Sequence, residues 1–105
     1  MKLKHPFSQN TRNLFLYEYG CWMCGRSDKG LELNHTYGRV SSSPVNASLI
    51  CSECHSHIGH TQKEHVFLLS LSLKFLARTG YNFTSKDIDF LNSIKVDFIK
   101  ASNLL

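Results

Sequence analysis

The chain has 105 residues, 42% of them hydrophobic, with a formal charge of +4 and a sequence pI near 9.0. That length suits one domain with a small core, and the basic balance admits a nucleic-acid partner without requiring one. Lys2 and Lys4 have no apolar run behind them, which excludes a signal peptide; residues 66–76 contain Lys74 and are too short to span a bilayer. The expectation is a soluble, cytoplasmic protein with no membrane association.

Residues 1–9 carry no periodicity. Asn10 or Thr11 can cap a short helix through Tyr19, with Leu14, Phe15 and Leu16 as its apolar content and Gly20 at its end. Residues 21–25 read as a zinc-knuckle turn, where Gly25 lets the backbone fold back. Leu31 to His35 alternates apolar and polar residues, as a half-buried strand does. Residues 36–45, with Gly38, Ser41, Ser42, Ser43 and Pro44, read as a loop. A helix is expected from the second cysteine pair to about Ile58, stopped by Gly59. Thr61-Gln-Lys-Glu64 matches a capping box and predicts a helix from residue 62 to about Arg78, ended by Gly80. Thr84 or Ser85 opens a last helix to about Ala101, with a stripe of Ile88, Leu91, Ile94 or Lys95, and Phe98. That stripe is expected to pack, as are Phe67, Leu71 and Phe75.

The four cysteines form two pairs, Cys21-x-x-Cys24 and Cys51-x-x-Cys54. In a reducing compartment such pairs are metal ligands rather than disulfides. Each closes a small chelate ring, and together they fill the four positions of a tetrahedral zinc ion. With every position taken by protein, that zinc would be structural. A redox role would need a βαβ setting, which the sequence lacks, and four free buried cysteines are the other alternative.

Four of the six histidines lie between residues 55 and 65. His35 ends the expected strand, Asn46 precedes Cys51, and His55 follows Cys54 directly. Cys-x-x-Cys-Gly25, then Leu31-Glu-Leu-Asn-His35, then Asn46-Ala-Ser-Leu-Ile-Cys-Ser-Glu-Cys-His55, together resemble the zinc-containing, phage-type branch of the HNH endonuclease family, the ββα-metal or His-Me finger nucleases. The resemblance covers Cys21 to about His60. It implies an α+β fold with a small ββα-metal, treble-clef-like core over about 20–60, stapled by zinc, and additional C-terminal helices over about 62–105, all in a single domain 1–105.

The resemblance further implies a metal-dependent DNA endonuclease, a nickase being one form of it. Phosphodiester hydrolysis needs an activated water and a cation on the scissile phosphate. His35 would be the general base, and Asn46 would hold the loop or the imidazole by hydrogen bonds. His55 would help bind one catalytic divalent cation, Mg2+ or Mn2+, with Zn2+ or Ni2+ as alternatives. Asn34 stands before the base, where the family usually has Asp or His, and is expected in or beside that metal shell. His60 joins it if the helix breaks at Gly59. Arg39, just past the base, offers a fixed fork for a DNA phosphate. Two other readings use the same chain: a non-catalytic, zinc-stabilised nucleic-acid-binding module, and a protein-interaction adaptor using apolar C-terminal helices. Both a monomer and a homodimer are compatible with the sequence.

Overall fold

A computed structural model of the chain describes residues 7–27, 30–38, 40–59 and 61–94. Two strands, β1 (Leu31–His35) and β2 (Ala47–Cys51), pair antiparallel, from Leu31 opposite Cys51 to His35 opposite Ala47. Residues directly opposite share a face. Leu33 and Leu49 therefore lie on one face with His35 and Ala47, while Glu32, Ile50, Asn34 and Ser48 lie on the other. Around the hairpin are α1 (Gln9–Leu14), a 3-10 turn at Pro44–Asn46, α2 (Ser52–His57), α3 (Gln62–Thr79) and α4 (Ser85–Ser93). Among the described residues the fold is thus a small α+β unit of two strands and four α-helices, and no helix is long and apolar enough to cross a membrane.

The long helix α3 follows its sequence signals. Thr61 accepts from the Glu64 amide while the Glu64 carboxylate accepts from the Thr61 amide, which satisfies two amides at the helix start. Gly80 closes α3 in the left-handed region (φ 75°), where a side chain would be strained. The buried face is Val66, Leu68, Leu69, Phe75 and Leu76, whereas Phe67, expected in the core, is 42% exposed. This face and β2 build one apolar core with Phe7, Phe15, Val45 and Phe90. A second cluster joins Ile50 and Leu68 to Cys21 and Cys51.

Two helices depart from the sequence expectation. α1 is capped by Ser8, whose hydroxyl accepts from the Thr11 amide, and stops at Leu14 rather than Tyr19. Phe15 turns into the core against Phe75, but Tyr17 is 79% exposed, so a longer helix would bury nothing further. In α4 the buried face is Asp87 and Phe90, and Ile88 is 46% exposed. The capping box of Thr84 and Asp87 sets this rotation. The expected continuation to Ala101, with Lys95 and Phe98, lies outside the described residues.

Asp87 ties α4 to the turn before β2. Only 1% exposed, its carboxylate accepts from Ser43 Oγ (2.6 Å), Tyr81 Oη (2.6 Å) and the Thr84 amide (2.8 Å). Burial opposes its ionisation, but the bonds from Ser43, Thr84 and Tyr81 outweigh this and hold the carboxyl below its ordinary value. The same contact helps raise Tyr81: burial first, then the carboxylate, push its hydroxyl up to about 12. Asp87→Ala strands three donors and should cost about 3 kcal/mol. In thermal unfolding that is a midpoint drop of roughly 10–20 °C for a domain of this size. A shift of only a degree or two would contradict this role.

Candidate functional site

The two cysteine pairs reach one point from different elements. Cys21 opens a tight turn after α1: its carbonyl accepts from Gly25 N (2.8 Å), and its amide donates to Arg26 O (3.0 Å). Gly25 takes a positive φ of 79°, as a turn folding back on itself requires. Cys51 is the last residue of β2 and also the N-cap of α2, its Sγ accepting from the Cys54 amide at 3.4 Å. A thiol here does what a Ser or Asp oxygen does at other helix starts.

The four sulfur atoms lie within 4.8 Å of one another, and all four cysteines are free. Tetrahedral zinc with bonds of about 2.3 Å has sulfur–sulfur edges of about 3.8 Å. Cys24 Sγ and Cys51 Sγ are 3.9 Å apart. Electrostatics fit the same ion. Burial acts to raise the Cys21 thiol, but amides from Cys24, Cys51 and Met23 bring it down to about 6. Burial and the neighbouring sulfurs push Cys54 well up. Four thiols this close cannot all ionise without a cation among them. The cluster is therefore compatible with a structural zinc ion, with no position left open for substrate.

His35 ends β1, and its ring stacks on Phe7, with centroids 3.9 Å apart and planes 11° from parallel. Asn46, at 0% exposure, ends the 3-10 turn across the hairpin. Its carbonyl oxygen accepts from Tyr37 N (2.8 Å), and its Nδ2 donates to Gly38 O and Ser41 O, both at 3.0 Å. Of the two roles open in the sequence, these contacts serve the loop that follows His35. Asn46→Ala would remove three bonds to partly buried backbone groups, at about 2–3 kcal/mol. Faster hydrogen exchange at the Tyr37 amide should accompany this loss; unchanged protection there would remove Asn46 from that role.

Asn34 is 3% exposed, and its Nδ2 donates to Ser48 Oγ at 3.1 Å. Thr36 Oγ1 donates to the same oxygen at 3.0 Å. The amide expected beside a second metal is thus engaged inside the sheet, because the pairing register sets it against Ser48. His55, on α2, meets the edge of β1: its Nδ1 is 2.6 Å from Glu32 Oε1. His57 turns back on its own helix and donates to Glu53 O (2.8 Å). Arg39 and His60 lie outside the described residues. The site residues therefore fall into two groups along one strand, His35 with Asn46 and His55 with Glu32. Glu32 and His35 are three residues apart, about 10 Å along an extended chain.

Sequence reasoning passed over Phe7 and Glu32. Nothing local marks Phe7. The alternation of β1 does set Glu32 on the face of Asn34, so strand period was a usable signal for it.

Compared with known proteins, the chain matches no family model, no curated protein and no solved structure.

Proposed function

We propose that the chain is a zinc-stabilised, metal-dependent DNA endonuclease of the HNH type. The observation that carries this reading is the fully buried Asn46 clamping the loop directly after His35, on a hairpin whose second strand ends in the thiol cluster. His35 takes the proton of the attacking water, a role for which the imidazole is the side chain most often used. Its stack on Phe7 fixes the ring plane. His55 would help hold one divalent cation, Mg2+ or Mn2+. Such a cation neutralises charge on the phosphate and stabilises the leaving oxygen. Arg39, four residues after His35 in sequence, contacts a neighbouring phosphate through its guanidinium fork.

Supercoiled plasmid incubated with zinc-loaded protein reads this directly. Nicked circles are expected with Mg2+ or Mn2+ and none with EDTA. Retention of the plasmid without nicking in either metal would instead favour a non-catalytic nucleic-acid-binding module. One observation speaks for that second reading: Asn34 is 3% exposed inside the sheet, at the position where the HNH family usually has a cation ligand.

A further inference from the structure

Glu32 is the one exposed residue of β1, and its carboxylate makes a short, specific contact. Its Oε1 lies 2.6 Å from His55 Nδ1, and both side chains are about half exposed. The two residues are 23 apart in sequence and meet because α2 starts at the thiol cluster and runs back past β1. An ionised carboxylate can only accept a hydrogen bond. The proton of this contact therefore belongs to His55 Nδ1, and a neutral His55 then carries its lone pair on Nε2. Histidines that bind metals are commonly held this way, with the far ring nitrogen donating to a carboxylate that orients the ring and increases its basicity.

We infer that Glu32 is a positioning residue that fixes the tautomer and direction of His55 so that Nε2 ligates the divalent cation. The inference rests on the nuclease reading for the cation's purpose, but its geometry is independent of catalysis. Asn34 is 3% exposed inside the sheet, whereas the Glu32–His55 pair is open to solvent and to a cation.

The experiment uses the zinc-loaded full chain at about pH 8, where an ordinary histidine is neutral. Nitrogen-15 spectra of the imidazoles should show His55 protonated on Nδ1. Mn2+ added to the same sample should broaden the His55 ring signals. Glu32→Ala should give a mixture of tautomers and raise the Mn2+ concentration for half-maximal broadening about 10- to 100-fold. Glu32→Gln keeps an oxygen that accepts from Nδ1 and should recover the tautomer and part of the affinity. A wild-type His55 protonated on Nε2 would overturn the inference, as would equal Mn2+ affinity in Glu32→Ala. If the tautomer and Mn2+ binding are as expected but no plasmid is nicked, the inference stands and the nuclease reading falls.

Discussion

Cys51→Ser should leave the chain without a cooperative fold at neutral pH, and thorough chelation of zinc should do the same. Cys51 stands at the junction of β2 and α2, 1% exposed, packed with Ile50 and Leu68, and it caps the helix through its sulfur. A serine oxygen could still cap α2, so the expected loss is in the metal. Structural zinc binds small domains with an apparent free energy of about 10–16 kcal/mol at neutral pH. The net stability of a whole domain is about 5–15 kcal/mol. Losing the ion therefore removes as much as the fold has. Acid should act in the same direction, because each thiolate must be protonated before it lets the metal go. Loss of the far-UV helical signal and of dispersed amide resonances would report the collapse. Cys24→Ser, at an exposed position, should be milder. A far-UV spectrum unchanged after chelation would show that the apolar core is sufficient alone.

His35→Ala should lower plasmid nicking by about 10²- to 10⁴-fold, the usual contribution of a positioned general base. It should do so with little change in fold. The ring is only partly buried, and its loss removes the stack on Phe7, about 1 kcal/mol, while the Asn46 bonds to the loop remain. Beside them the Thr36 amide donates to Asn46 O at 2.8 Å. Thermal unfolding measured beside the nicking rate separates the two effects. Equal rates for His35→Ala and wild type would place the base elsewhere. A large drop in melting temperature would make the histidine a structural residue.

What the sequence made legible was local. The Thr61–Glu64 box, Gly80 and Thr84 announce α3 and the start of α4, because a cap acts within one turn of the chain. The alternation of Leu31 to His35 announces β1, one face of which is packed against the main core. β2 gives no such signal in Ala47-Ser-Leu-Ile-Cys51: it is buried on both faces, so apolar and small polar residues carry no period of two. The cysteine cluster was legible from spacing, since each pair is its own chelate. The partners of Asn34, Asn46 and His55 were not, because each contact crosses the hairpin and depends on its register. The same register that buries Asn34 against Ser48 brings Glu32 to the flank of α2.

The proposed zinc staple requires the two cysteine pairs to close around one ion. Native mass spectrometry of protein purified under reducing conditions, followed by chelation and a repeat of the measurement, tests that most directly. One zinc per chain is predicted, bound with four thiols deprotonated, and removal of that zinc should broaden the charge-state distribution as the chain unfolds. A metal-free chain with a narrow, folded distribution, or cysteines recovered as disulfides, would contradict it.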